Sequence, residues 1–142
     1  MAGEARALSR SGNYASAVEV FERALAEAKG LPIRSDLLLG VASAHLLEAT
    51  ERREAIDLAL VDKAIAVYRE AIGASQLNDQ KRPRARLGLA RALGEKGEQD
   101  AALAELDRAA AELAHIGSPS AKILLENRKV FEEGDWRSIG LY

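Results

Sequence analysis

One short pattern occurs twice in this chain and, in part, a third time. A glycine-led turn is followed at helical spacing by small and bulky apolar residues. The two full copies are Gly12, Tyr14, Ala17, Phe21 and Ala24, then Gly97, Gln99, Ala102, Leu106 and Ala109. The partial copy is Gly134-Asp135-Trp136. A unit of this size cannot bury its apolar face alone, so the repetition predicts units that stack against one another.

Composition favours helices in these units. Hydrophobic residues make up 48% of the 142 residues and aromatic residues only 4%, so alanine and leucine must form most of the core. Both are strong helix formers, whereas strands favour β-branched and aromatic residues. A chain of this length buries roughly 68–70% of the surface of its unfolded state. We therefore predict a single all-α domain over residues 1–142.

Charge and residue content argue against several kinds of site. The net charge is −2, whereas a general nucleic-acid-binding protein has a basic excess. The chain has no cysteine, which excludes disulfides and thiolate metal sites. His45 and His115 lack a second histidine three or four residues away, so no helical zinc pair is expected. We predict no metal, no cofactor and no enzymatic activity, because the sequence shows no catalytic constellation.

Membrane insertion is not expected either. The longest apolar stretch, residues 37–47, falls short of the ~20 residues that span a bilayer. The N-terminal residues form an amphipathic repeat with charged residues in it, unlike a signal peptide. A cytoplasmic location is therefore expected.

Glycine and proline divide the chain into helices. Pro32, Pro83 and Pro119 lie where helices would begin, since proline is tolerated in a first turn. Helix ends or turns are expected at Gly12, Gly30, Gly97, Gly117 and Gly134. The predicted helices cover residues 2–11, 14–29, 35–49, 54–74, 82–95, 98–114 and 119–133, with a stub after Gly134. The polar stretch 76–82 is interpreted as a loop inside one domain.

These residues resemble the tetratricopeptide repeat family, in which a ~34-residue helix-turn-helix unit carries Ala-x3-Phe in its second helix. The first unit carries Ala5, Leu8, Gly12, Tyr14, Ala17, Phe21 and Ala24; the third carries Ala90, Leu93, Gly97, Ala102, Leu106 and Ala109; the second carries Leu39-Gly40, Ala64, Tyr68 and Ala71. The resemblance implies a right-handed α-solenoid with repeats at 2–30, 35–74 and 82–115. A capping or partial repeat would follow over 119–142. The alternative is an antiparallel helical bundle in which the repetition is fortuitous.

The spacing of the units departs from the family. The second-helix alanines Ala17, Ala64 and Ala102 are 47 and 38 residues apart, against ~34 in the family. An insertion around residues 50–61 is expected to lengthen the second helix of the second unit. Small residues are expected at the helix crossings, where short side chains permit close approach. Phe21, Tyr68 and Leu106 are then expected to fill the gaps towards neighbouring units.

The resemblance implies a protein-protein interaction module whose first helices line a concave groove. Three units carry an arginine at one repeat position, eleven residues before the second-helix small residue or its counterpart: Arg6, Arg91 and Arg128. Arg84 lies two helical turns before Arg91 on the same face. Guanidinium groups bind carboxylates through paired, charge-assisted hydrogen bonds. We therefore expect these four arginines to bind an acidic protein or peptide segment, with apolar contacts from Leu87 and Leu124.

Two alternatives remain open at this point. The arginines could belong to solvated helix faces, with Glu95 and Glu132 neutralising part of their charge. The chain could also serve as an oligomerisation or intramolecular regulatory domain that uses its apolar ends, giving a homo-oligomer through its terminal helices. The last residues decide between these uses of the C-terminal end. Trp136, Ile139, Leu141 and Tyr142 either fold back over Val130 and Phe131 or contact another subunit.

Overall fold

A computed structural model describes residues 2–31, 33–51, 54–73 and 80–139. Its helices are α1 (Ala2–Arg10), α2 (Tyr14–Glu27), α3 (Arg34–Ala49), α4 (Leu58–Gly73), α5 (Lys81–Lys96), α6 (Gln99–His115), α7 (Ser120–Glu126) and α8 (Arg128–Glu132), followed by a 3₁₀ helix at Trp136–Ser138. These ranges contain no strand. The all-α prediction is confirmed.

The helices group into two compact units. The first contains α1 to α4, and the second contains α5 to α8 with the 3₁₀ helix. In the first unit α1 packs on α2, α2 on α3 and α3 on α4; in the second, α5 packs on α6 and α6 on α7. Consecutive helices therefore form hairpins, as the sequence repeat predicts. The single domain over 1–142 stays a prediction.

The small residues expected at the crossings are buried. Ala5 and Ala17, on the first hairpin, are completely inaccessible to solvent, and so are Ala90 and Ala102 on α5 and α6. Methyl side chains at these points allow the helix axes to approach to ~8–10 Å. The alanine-rich composition thus serves close helix packing.

Phe21 packs from the first hairpin onto the second. Its ring covers Gly40 on α3 so closely that a Cβ at Gly40 would overlap the ring. The Leu39-Gly40 pair noted in the sequence therefore provides the space for Phe21. Tyr68 is also buried, and its hydroxyl shares a 3.0 Å hydrogen bond with the Ser43 hydroxyl.

The expected lengthening of α4 is wrong. The helix begins at Leu58, four residues after the predicted start at 54. The Asp57 carboxylate accepts hydrogen bonds from the N–H groups of Ala59 and Leu60, at 3.1 and 3.3 Å. This side chain therefore caps the helix and fixes its first turn. The N–H of Asp57 also donates to the Ala49 carbonyl, 3.0 Å away, which ties the start of α4 to the end of α3.

The helix predicted over 119–133 is divided in two at Asn127. The Asn127 side chain donates to the Ile123 carbonyl over 2.9 Å. Asparagine side chains bond to nearby backbone and so compete with helical hydrogen bonding. Asn127 stands where Ala5 and Ala90 stand in the other units, so the fourth unit departs from the pattern at its central packing position.

The other helix boundaries predicted at glycine and proline are confirmed where the structure describes them. All five glycines named as helix ends or turns have a positive φ, between 73° and 98°. Pro83 lies in the first turn of α5 and Pro119 directly precedes α7. Pro32 lies outside the described residues.

Candidate functional site

The second unit brings two of the predicted arginines onto α5. Arg84 lies in the first turns of the helix and is exposed. Arg91 lies two turns further on and is only 8% exposed. Its guanidinium donates from Nη1 to the backbone carbonyl of Ile139, 2.9 Å away. Arg91 therefore already binds a stretch of polypeptide, which belongs to this chain.

That stretch, residues 136–139, is called here the tail segment. Trp136 anchors it, with only 2% of its surface exposed. The indole covers Gly94 on α5 so closely that a Cβ at Gly94 would overlap the ring. It also stacks on Phe131, with ring centroids 5.3 Å apart and an angle of 25° between the planes.

Gln99 joins the tail segment to the start of α6. Its side-chain carbonyl accepts the Trp136 indole N–H over 2.9 Å. Its amide group donates to the carbonyls of Phe131 and Glu132, at 2.8 and 3.2 Å. Gln99 occupies the repeat position of Tyr14, so its departure from an aromatic residue was the sequence signal for this contact. Sequence analysis did not interpret it.

A third contact involves opposite charges. Arg137 donates from Nε to Glu95 on α5 over 3.1 Å, and the Glu95 side chain is only 9% exposed. Arg91, Gly94 and Glu95 therefore all face the tail segment from one helix. The sequence left open whether the C-terminal residues fold back over their own unit or contact another subunit. In the structure, Trp136 and Ile139 fold back onto the second unit. Leu141 and Tyr142 lie outside the described residues.

Arg128 is held within the second unit. Its Nε and Nη2 donate to the two carboxylate oxygens of Asp107, each at 3.0 Å, and it also bonds Glu132. The hydrogen bonds to Asp107 raise the pKa of Arg128 above its usual value, and those from Arg128 lower the pKa of Asp107. This bidentate pairing matches the chemistry that the sequence assigned to Arg128, but the carboxylates come from the same chain.

Arg6 differs from the other three arginines. It lies on α1 in the first unit and is exposed. Within the described ranges it has no hydrogen-bond or ion-pair partner. Leu87 on α5 and Leu124 on α7 are both partly buried.

The first hairpin is similar to a known family. Residues 3–29, which cover α2 and all but the first residue of α1, match the family model described as Tetratricopeptide repeat. The match supports a tetratricopeptide repeat at this hairpin. No curated protein and no solved structure matched the chain. Tetratricopeptide repeats generally mediate protein-protein interactions and are typically non-catalytic. The predicted resemblance and the repeat-like fold class are confirmed.

An ion-pair network that the sequence did not predict joins the two helices of the α5–α6 hairpin. Arg86 donates to Glu112 over 2.8 Å and to Glu105 over 3.2 Å, while Arg108 bonds Glu105 at 2.6 Å. Burial lowers the pKa of Arg86, but its hydrogen bonds to the two glutamates outweigh this effect and raise the pKa overall. The network links the facing helices of the hairpin, so the Arg86 side chain is already paired within the chain.

The two histidines differ in their exposure. His45 is partly buried, and its Nδ1 has no hydrogen-bond partner among the residues that the structure describes. Burial, followed by the charge of Lys63, lowers the pKa of His45 below its usual value and so favours the neutral ring. His115 is exposed in the last turn of α6. Over the described ranges, no cluster of three metal-binding side chains occurs.

The length and apolar character of the helices bear on membrane insertion. Among the helices of the described part of the chain, none combines the length and the apolar character that crossing a bilayer requires.

Proposed function

We propose that this chain is a non-catalytic binding module that holds an acidic segment of a protein partner, with Arg84 as the contact in the second unit and Arg6 as a separate candidate contact in the first unit. Both side chains are exposed and both belong to first helices of repeat units. The tetratricopeptide repeat at residues 3–29 supports a protein partner. The proposal takes the cytoplasm as the compartment, on the sequence expectation alone.

The distribution of charge along α5 carries the acidic part of the proposal. Its first turns contain Lys81, Arg82 and Arg84, and its first turn has no acidic residue. The N-terminus of a helix already bears a partial positive charge, and each nearby charge changes stability by ~0.3–1 kcal/mol. Cations there oppose the dipole, whereas α6 has Asp100 in its first turn. An incoming carboxylate would interact favourably with both the cations and the dipole.

The other predicted residues enter this proposal in different ways. Arg91 is covered by the tail segment, so a partner reaches it only after that segment moves. Arg128 would exchange Asp107 and Glu132 for carboxylates of the partner. Leu87 and Leu124 are partly exposed and would add apolar contact beside the charges.

Charge reversal tests the proposal on a partner isolated with the purified chain and identified by mass spectrometry. Arg84→Glu and Arg6→Glu should each weaken binding about tenfold by titration calorimetry, since a repulsion replaces a charge-assisted hydrogen bond. Arg23→Glu on α2 and Lys122→Glu on α7 are the matched controls, because both side chains are exposed. Binding should also weaken with salt. Equal affinities for all four variants would contradict the proposal.

A second candidate function, self-association, is supported by α7. Ile123 and Leu125 are 55% and 57% exposed on this short helix. Exposed apolar side chains that lie close together are typical of contact surfaces. The C-terminal residues Trp136 and Ile139 are buried, so they are not available for contact with another subunit. The exposed side chains of α7 are therefore the candidate contact between copies of the chain. Light scattering over a concentration series should show dimers that Ile123→Asp dissociates; a monomer at every concentration would exclude this candidate.

A further inference from the structure

The tail segment contacts chemical groups on α5 and α6 that would bind a segment of another chain equally well. We propose that residues 136–139 are an internal competitor on a binding face of α5. The occupant that displaces them is a partner segment with an aromatic residue, then a basic residue, and an apolar residue two positions further on. This inference rests on the proposed function and names the partner's chemistry more closely.

The aromatic position is defined by a notch in α5. Gly94 leaves the backbone open at one point, and the Trp136 indole fills that space. Phe131 stacks on the ring and Gln99 accepts its N–H. The notch therefore fits a planar side chain and binds a polar N–H at its edge.

The apolar position is held through the main chain. Arg91 donates to the carbonyl of Ile139, a group that every peptide offers. Burying a guanidinium costs free energy, and apolar side chains of similar volume often stabilise a core as well or better. A fixed cap would therefore gain little from Arg91, whereas a peptide-binding face gains a donor that recognises backbone.

The basic position is set by Glu95. This carboxylate is nearly buried and bonds Arg137. A partner with an acidic side chain here would leave Glu95 facing a like charge. Aromatic, basic and apolar residues thus occupy three defined places along α5.

The direction of the tail segment connects this face with Arg84. Trp136 lies at Gly94 and Ile139 lies at Arg91, so the segment runs towards the N-terminus of α5. Arg84 lies seven residues before Arg91, a distance that about three residues of extended chain would span. An acidic stretch that follows the apolar residue of the partner would therefore reach Arg84.

The α5–α6 hairpin has contacts that do not involve the tail segment. The segment joins α8 through Gly134, whose φ is +98°, and Asp135. Its internal hydrogen bonds run from Ile139 N–H to the Trp136 carbonyl and from the Ser138 hydroxyl to the Asp135 carbonyl. The hairpin partner of α5 is α6, and the ion pairs of Arg86 with Glu105 and Glu112 link these two helices without the tail.

The full chain offers a direct test because Trp136 is its only tryptophan. The probe is a synthetic peptide of residues 134–139 with phenylalanine in place of tryptophan. Its addition should move the tryptophan emission to longer wavelength as Trp136 enters water. A peptide with aspartate at the same position is the control and should leave the emission unchanged. Unchanged emission up to saturating peptide would overturn the proposal.

A second measurement uses a fluorescein-labelled peptide of residues 134–139 and fluorescence anisotropy. Trp136→Ser opens the face and should raise peptide affinity about tenfold, since a bound competitor lowers apparent affinity by the fraction of open molecules. Leu31→Ser is the control, since this side chain is exposed in the first unit, and it should match the parent chain. Equal affinities of Trp136→Ser and the parent chain would overturn the proposal.

Two further variants keep the result interpretable. If Trp136→Ser loses helicity by circular dichroism, Arg137→Glu serves in its place, because it replaces the ion pair with Glu95 by a repulsion between like charges; it too should raise affinity, and no rise would overturn the proposal. Arg23→Glu on α2 lies outside the peptide's contacts and should leave its affinity unchanged. If the proposed function is wrong, Arg84→Glu leaves the affinity for the protein partner unchanged. If this inference is wrong, Trp136→Ser leaves the affinity for the peptide unchanged.

Discussion

Gly94 and Gly40 show how one missing Cβ determines a tertiary contact. Each lies under an aromatic ring, Trp136 in one case and Phe21 in the other. Any larger residue would push the ring away, because protein interiors are too closely packed to absorb an added methyl group. These glycines therefore control packing, and neither lies at a helix end or needs a positive φ.

The first prediction concerns Gly94→Ala. The new methyl group would overlap the indole, and we expect a loss of roughly 1–3 kcal/mol in the free energy of unfolding. Tryptophan emission should move to longer wavelength at the same time. Gly3→Ala on α1 is the control, since nothing lies within 4 Å of the added Cβ. It should be neutral or slightly stabilising, and urea unfolding compares the two variants. Equal stability of both would show that the ring does not depend on the notch.

At the scale of an element, the start of α4 depends on one side chain. Asp57→Ala removes the acceptor for the N–H groups of Ala59 and Leu60. Such caps contribute ~0.5–2 kcal/mol to stability. We expect a loss of that size in urea unfolding and little loss for Asp57→Asn, which keeps an acceptor. If Asp57→Asn is as unstable as Asp57→Ala, the cap is not the reason that α4 begins at Leu58.

The crossing of α5 and α6 gives a matched pair of variants on adjacent residues. Ala102 is completely buried and Ala101 is exposed. Ala102→Leu should overpack the crossing and lower stability by roughly 1–3 kcal/mol. Ala101→Leu makes the same change towards solvent and should alter stability by less than about 0.5 kcal/mol. Thermal unfolding monitored by circular dichroism distinguishes the two; similar melting temperatures would mean that Ala102 is not at the crossing.

At the scale of the whole molecule, the sequence predicted the helices well because their signals are local. Apolar spacing, glycine at helix ends and proline in first turns act within a few residues. The start of α4 was missed because the apolar spacing continues through Ala55 and Ile56, while the cap at Asp57 overrides it. The break at Asn127 was missed for a similar reason: its side chain bonds to the Ile123 carbonyl, which also accepts the Asn127 backbone N–H.

The candidate site was less predictable because its contacts join distant parts of the chain. Arg91 and Arg128 were identified by their repeat position, but repeat position does not indicate which groups lie opposite. Ile139 is 48 residues from Arg91 and Asp107 is 21 residues from Arg128. Gln99 and Trp136, which are also in contact, are 37 residues apart. Only the folded chain shows that these arginines bind its own groups.

The change of the free energy of unfolding with pH is a sum over all ionisable groups of the molecule. The shifted pKa values of two groups, His45 and Asp107, give the direction of their contributions in acid. Burial lowers the pKa of His45 below the usual 6.5, aided by Lys63 and opposed by Glu22 and Glu48. Hydrogen bonds from Arg128 lower the pKa of Asp107 below 3.8. In both cases the unfolded chain binds the proton more readily than the folded chain. Each group's contribution to the free energy of unfolding is therefore complete above its usual pKa and is lost as the pH falls through its pKa in the folded chain.

We therefore expect the free energy of unfolding to be level above about pH 6.5 and to fall in two steps in acid. His45→Gln should flatten the step just below pH 6.5 and leave the lower step, because glutamine does not titrate. Asp107→Asn should flatten the step below pH 3.8 and leave the upper one. Each variant is thus the control for the other in urea unfolding at a series of pH values. Stability that rises as pH falls through 6.5 would mean that His45 is stabilised in its charged form, against the burial that the fold imposes on it.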